Sequence, residues 1–379
     1  MHDEALFYNA IAVACHGNRG AIARLRNGHD RWEGAYDALR QSEIFSDRNG
    51  RLSLPDPETE GNALLRHGIA IILAEDPRFP ARLREIPHPP LALYIRGDPE
   101  AVCVAGSGSA IAIVGTRRAT PAGKDIARHF AMELRAAGFA IVSGLAFGID
   151  AAAHAGCLAR PAHVAPPPVA VLAGGLHRVH PRSHSSLAER ILVTGGALVA
   201  EYPLTESPLP HRFIERNRIV SGLSRGTLVV EAPEGSGALA TARFAFEQNR
   251  DLFVVPGNIG EDHYRGSNRL IKEGAMLVTS PRDIWESYGM VKERSLFPET
   301  PASFPLHGAD GEPLSEEESL VVAAITAAQT EEGHAADVDK ISAIAKLEPR
   351  IVNQALTFLI IKEIIEERLD GYALREDGT

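Results

Sequence analysis

The feature that most constrains this sequence is an alternation. Between Ile111 and Thr279, short β-branched or small apolar runs recur at Ile111–Val114, Phe139–Val142, Val169–Leu172, Ala197–Ala200, Thr227–Val230, Leu252–Val255 and Met276–Thr279. Helical segments separate most of them, among them Ala122–Gly138 and His184–Thr194. Short apolar runs bounded by Gly and Pro are candidates for strands buried on both faces. Strands that alternate with helices form a doubly wound, parallel sheet of the α/β class. Such a sheet offers a ligand the crevice beyond the carboxyl ends of its strands. Upstream, residues 68–97 predict a strand, a Pro-punctuated turn, a short helix and a second strand, which extend or cover the main sheet. Residues 99–110 read as a joint. Their Gly106-Ser107-Gly108 precedes a strand instead of following one, which excludes a dinucleotide fingerprint.

The loops that leave these strands are small or basic: 115–118, 143–150, 173–178, 213–218, 231–237 and 256–258. Gly115 allows close backbone approach, Thr116 offers a hydroxyl and Arg117 a guanidinium. The stretch 213–257 is the centre of the pattern. It predicts a helix opened by Arg216-Asn217-Arg218, a strand at 227–230, the loop Glu231–Gly237 and a further helix. A small-residue loop between a strand and a helix N-terminus suits a phosphate, because its amides and the helix dipole face the anion. The same loop also fits an ordinary turn in which Ser236 or Thr241 caps a helix. No G-x-x-x-x-G-K-[ST] is present, which argues against P-loop hydrolysis. His177, His180 and His184 lack an acidic or Cys partner at helical spacing and read as a polar loop, so no metal is expected. Ser143 is not in a G-x-S-x-G elbow, and a hydrolase nucleophile is unsupported.

Charge sharpens the picture. The chain of 379 residues has a net charge of −10, which taken whole argues against nucleic acid. Residues 101–290, however, hold 19 Lys and Arg against 16 Asp and Glu, a net of +3, and 17 of the 19 are Arg. The remainder is left at −13. Arg is the better residue for bidentate phosphate contact and for stacking on bases. A basic middle in an acidic chain fits a focused anionic site. The length predicts two or three domains. No apolar run approaches the ~18 residues of a membrane span, and the N-terminus lacks a secretory pattern. Three unpaired cysteines, Cys15, Cys103 and Cys157, suit a reducing cytoplasm.

The flanks differ from the middle. Residues 1–60 predict short helices punctuated by Gly17, Gly20 and Gly28. Helix–Gly–helix turns can hold a DNA phosphate, but a structural or partner-docking role is the favoured reading. Residues 288–317 are a linker rich in Pro, Gly and charge. Three helices follow, at Glu316–Thr330, Val338–Ala345 and Pro349–Glu363, and then a hairpin around Asp370-Gly371. That order predicts a winged helix-turn-helix whose Arg350, Asn353 and Gln354 face a groove. An excess of acidic residues over 337–377 favours protein docking instead.

The series IAIVGTRRAT, IVSGLAFGIDAAAH, VAVLAGGL, ALVAEYPL, FIERNRIVSGLSRGTLVVEAPEGSGALATA, FVVPGNIG and GSNRLIKEGA resembles the bacterial DNA-processing protein A family (DprA, also called Smf), over about residues 68–285. The resemblance implies an extended Rossmann-like, mostly parallel sheet over 66–288. It implies a sterile-alpha-motif-like helical domain over 1–65, a linker over 289–316 and a winged helix over 317–379. It implies a cytoplasmic, non-enzymatic homodimer that needs no cofactor and binds single-stranded DNA. Family members protect incoming strands in natural transformation and load the RecA recombinase. Carried onto this chain, the expected phosphate contacts are Gly115, Thr116, Arg117, Gly144, Gly148, Arg212, Arg216, Asn217, Arg218, Ser236, Gly237, Thr241 and Lys272, with Phe213 stacking on a base. Phe147 stands where many members carry Lys, which removes a charge and offers a second stacking face. His180-Pro181 replaces a common Tyr-Pro, and 160–168 is an insertion. Structural roles stay open for several of these: Arg216 paired with Glu215 or Glu231, Phe213 in the core, Asn217 as a buttress. Two other functions also compete. One is a nucleotide-processing enzyme using Glu231 or Glu234. The other is an adaptor built on the C-terminal region.

Overall fold

The computed structural model describes residues 3–42, 54–159, 166–289, 314–332, 336–362, 364–368 and 371–374. Most of the expected 289–316 linker, residues 160–165 of the insertion, Glu363 and Asp370 lie outside these. The chain divides into two compact units, Met1–Met290 and Val291–Thr379.

In the first unit nine strands form one sheet. They are β1 (Ile69–Leu73), β2 (Ala92–Gly97), β3 (Ala110–Val114), β4 (Ala140–Ser143), β5 (Val169–Leu172), β6 (Ala197–Ala200), β7 (Gly226–Val229), β8 (Asp251–Val254) and β9 (Met276–Leu277). Their spatial order is β1-β2-β6-β5-β4-β3-β7-β8-β9. The seven strands from β6 to β9 are parallel, while β2 runs antiparallel to both β6 and β1. Alternation along each strand decides what covers it. Ala112, Val142, Val171, Val199 and Val229 share one hydrophobic cluster. Ile111, Ile113, Ile141 and Leu228 join the helices Pro121–Ala136 and Ile149–Cys157 on the other face. A parallel sheet covered on both faces reads as unbroken apolar runs, which is why the strands stand out in the sequence.

Two local readings are corrected. The joint after β2 is a helix, Pro99–Gly106, started by Pro99 at its first turn and by Asp98, whose side chain accepts from the Glu100 amide at 2.9 Å. The helix expected to open at Arg216 begins earlier, as Pro210–Gly222, again with Pro at its first turn. Phe213 and Arg216 therefore sit three apart on one helical face.

The N-terminal helices Asp3–Ala14, Arg19–Arg26, Trp32–Gln41 and Pro57–Arg66 do not pack on a core of their own. Tyr8, Ile11, Trp32 and Leu39 share a cluster with Tyr94, Leu172 and Leu198 of the sheet. The Tyr94 hydroxyl also donates to buried Asn9 at 2.9 Å.

In the second unit the helices Glu316–Glu332, Val338–Ala345 and Pro349–Ile361 precede an antiparallel pair, β10 (Ile365–Arg368) and β11 (Gly371–Leu374). Val321, Ile325, Ile341, Val352, Leu356 and Ile365 form its separate core. Ile351 and Phe358 are exposed on its third helix.

Candidate nucleic-acid interface

The chain leaves β3 in two directions. β4, β5 and β6 are laid down on one side of it, and β7, β8 and β9 on the other. This is a topological switch point, and the crevice at the carboxyl ends of β3, β4 and β7 is where such a fold binds ligands. A groove of about 500 Å³ occupies it. Its walls are the loop 115–118, Gly144 and Ala146 after β4, one face of the 210–222 helix, and the start of the helix Gly237–Glu247. A narrower pocket of about 60 Å³ adjoins it, closed by Phe147, Gly174, Gly175, Arg178, His180 and Pro208. Arg117, Gly144, Ala146, Phe213 and Arg216 line both.

The 115–118 loop is fixed on two sides. The Thr116 amide donates to the Glu231 carbonyl at 2.7 Å, and the Thr116 carbonyl accepts from Ile149 at 3.3 Å. Gly115 is required by space, since a Cβ there would strike Ile149 and the Glu231 carbonyl. Buried Thr116 uses its hydroxyl to accept from the Arg118 amide at 3.2 Å. Arg117 and Arg118 are left exposed. The Arg117 guanidinium carbon lies 4.7 Å from the centroid of Phe213, whose far neighbour is the His180 ring at 5.7 Å in an edge contact. Phe147 is half exposed and meets His184 edge-on at 4.8 Å.

The three arginines of the 210–222 helix behave differently. Arg216 is 4% exposed; its Nη1 donates to the carbonyls of Gly144, at 2.6 Å, and Val171, and its Nε to Asn217 at 3.2 Å. Burial lowers its pKa, while Asp150 opposes that shift. Asp150 is itself raised by burial, against the pull of Arg216 and Arg117. Arg218 bonds both oxygens of Glu201 at 2.6 and 2.8 Å. Arg212 bonds Glu206, the carbonyls of Ser207 and His16, and covers the Tyr202 ring. Arg212 and Arg218, both expected as phosphate contacts, spend these donors inside the protein. A buried cation keeps the partners that compensate its lost hydration. Neither residue lines the groove, and Arg216 forms part of its floor.

Other expected contacts sort in the same way. Ser236 caps the 237–247 helix, accepting from Ala238 at 3.3 Å. Asn217 buttresses that helix, donating to the Gly237 carbonyl at 3.2 Å. Thr241 is buried, and Gly237 opens to free space. Gly144 leaves room for the Arg216 guanidinium, which a Cβ would strike. Gly148, at φ 79°, lies against Thr116 and Arg117 and lines neither cavity. Lys272 is exposed at the carboxyl end of the helix Arg265–Lys272. That helix has crossed back toward the amino ends of the parallel strands, so Lys272 is absent from the groove. The three histidines go to separate neighbours: His177 to His67 at 3.1 Å, His180 to Phe213, and His184 to the Leu145 carbonyl at 2.9 Å. Glu231 is fully buried, accepting from Thr120 at 2.9 Å and meeting His263 at 3.0 Å. Arg118 and Arg178 were missed in the sequence. Each lies in a loop singled out there, and the signal was a cation just past a strand end.

A family model, DNA recombination-mediator protein A, matches residues 70–289, which hold the sheet from the second residue of β1 onward and both cavities. The chain belongs to this family. Among relatives, Protein Smf of Escherichia coli is 41% identical over 251 residues, covering 66% of this chain and 63% of that protein's own length. A Mycobacterium tuberculosis relative is 34% identical over 373 residues, covering 96% of this chain and 88% of that protein. The X-ray structure of DNA processing protein A from Streptococcus pneumoniae is 27% identical with a TM-score of 0.55, covering 74% of this chain and 92% of its own. DNA processing protein A from Helicobacter pylori, solved for its single-stranded DNA binding mode, is 26% identical with a TM-score of 0.51 over 58% and 95%. Among the described residues no helix is long and apolar enough to cross a membrane.

Proposed function

We propose that this protein binds single-stranded DNA along the carboxyl edge of its sheet, protects incoming strands in natural transformation and hands them to the RecA recombinase. The observation that carries the reading is the Arg117–Phe213 stack at the mouth of the switch-point groove. A strand-tracking site needs cations for phosphates and aromatic faces for bases. Stacking is worth about 1–3 kcal/mol per base and tolerates any sequence. Arg117 is the first phosphate ligand, with Arg118, Arg178 and the Gly237 amide at the start of the 237–247 helix beside it. Phe213 and Phe147 supply the stacking faces. Arg216 and Asn217 hold the walls. The family's shared fold and the DNA binding of the Helicobacter pylori relative support the reading.

The protein acts without a cofactor or catalysis, as a cytoplasmic homodimer. Of the two carboxylates an enzyme could use here, Glu231 is committed to Thr120 and His263, and Glu234 lies 4.0 Å from Arg269 outside the lining of the groove. The helices of 1–65 are packed onto the sheet region 66–288, and 289–316 links this region to the domain 317–379. The last is a winged helix that docks a protein, supported by exposed Ile351 and Phe358 where a DNA reader would carry polar side chains.

Fluorescence anisotropy with a labelled single strand of ~30 nucleotides and its duplex, across a salt series, tests the reading. Wild type binds the single strand in preference. Arg117→Ala weakens it about tenfold and lowers the salt slope by roughly 0.7, one phosphate contact. Equal duplex binding, or a slope indifferent to Arg117, would refute it.

A further inference from the structure

The groove at the switch point is not lined by cations alone. Arg117, Arg118 and Arg216 line it, and so does one acid, Asp150. The narrow pocket beside it adds Arg178 and no acid. Asp150 is therefore the only carboxylate among the described residues that line the two cavities.

The backbone of Asp150 is fixed, since it is the second residue of the helix Ile149–Cys157. Its side chain is 6% exposed, and Oδ2 accepts from the Ala146 amide at 3.4 Å. That bond needs an acceptor and no charge, and the oxygen of an asparagine would serve it. The charge has other neighbours. Arg216 donates to the carbonyls of Gly144 and Val171 and to Asn217, all of them neutral, so it does not tie up the carboxylate in a contact ion pair. Arg216 and Arg117 act on Asp150 across space and, with the loop amides, favour its ionised form against burial. A charge need not touch its target. Solvent ions screen a carboxylate within the protein wall far less than one on the surface, so its field reaches what lies in the groove.

Asp150 is also the only charged residue in the loop 143–150. The groove thus has unlike walls, two arginines on the 115–118 loop and one carboxylate on the other side. A phosphate chain between them is drawn to the first and pushed from the second. The same carboxylate offsets Arg216 in the floor, which leaves Arg117 and Arg118 as the uncompensated cations of the groove. A protein that hands a strand on must also release it, and an acid at the site lowers affinity without removing any contact. We propose that Asp150 sets the affinity of the groove, its carboxylate repelling the phosphates of the bound strand so that the strand is passed on. This rests on the proposed function and extends it to release.

The test is Asp150→Asn in the full chain. Binding of a labelled single strand is measured by anisotropy across a salt series, and dissociation by competition with unlabelled strand. The variant is expected to bind about tenfold more tightly, to dissociate more slowly and to show a salt slope steeper by ~0.7. A purely structural role predicts the opposite sign, because a loosened 143–150 loop weakens binding. Unchanged or weaker binding by a variant that melts as wild type does would overturn the proposal. If Asp150→Asn does not fold, Phe147→Asp set against Phe147→Asn decides, since Phe147 is half exposed on the same wall. Both remove the ring, and the added carboxylate is expected to weaken binding about tenfold beyond the asparagine. Equal binding by that pair would overturn the proposal as well. Failure of the function itself looks different. Wild type then binds no single strand, Arg117→Ala changes nothing, and the extension falls with it.

Discussion

The 115–118 loop and the 210–222 helix flank one groove and both carry arginine, yet they use it in opposite ways. The loop spends its backbone on Glu231 and Ile149 and leaves Arg117 exposed over Phe213. The helix spends its guanidiniums on Gly144, Val171, Glu201 and Glu206, burying all three. A guanidinium already satisfied inside the protein has little left for a ligand, whereas one resting on an aromatic face keeps its edge free. Arg216 therefore shapes the floor of the groove, Arg212 and Arg218 fasten the other side of the helix, and the loop arginine is placed to meet what enters.

The largest effect that tests this contrast is on stability. Arg218→Met strands a buried carboxylate at Glu201 and is expected to cost about 3–5 kcal/mol in denaturant unfolding, whereas Arg218→Met with Glu201→Leu recovers most of it. A single variant as stable as wild type would break the comparison. Next comes Gly144→Ala, which forces the Arg216 guanidinium off its carbonyls and should cost about 1–3 kcal/mol. Thermal melting checks it. Arg117→Ala should leave stability within about 0.5 kcal/mol, as an exposed substitution does, while the DNA affinity falls. A fall in stability instead would place Arg117 with the helix arginines. The smallest effect is Phe147→Lys, which restores the charge common in the family. It should steepen the salt slope by roughly 0.7 with no loss of melting temperature, since Phe147 is half exposed.

Much of this was legible in the chain. The inner parallel strands announce themselves because both faces of the sheet are covered there, so they are largely apolar, whereas the edge strand β9 is exposed. Gly115, Arg117 and the Ser236-Gly237 turn were readable because loop chemistry at a strand end is local. The Pro99–Gly106 helix was missed because its Gly-rich end resembles a joint, although Asp98-Pro99 carries the start signal. Which arginine is free was not readable at all. Arg212, Arg216 and Arg218 look like one basic motif, and their partners lie as far off as His16, Gly144 and Val171.

The sequence by itself determined the α/β class, the order of elements and the loops that end at one edge, because periodicity and turn chemistry act over a few residues. Only the tertiary structure decided which cations face solvent and that the N-terminal helices share the core of the sheet. Those outcomes depend on carboxylates, carbonyls and apolar faces that meet only when distant segments pack, and a local pattern carries no record of them.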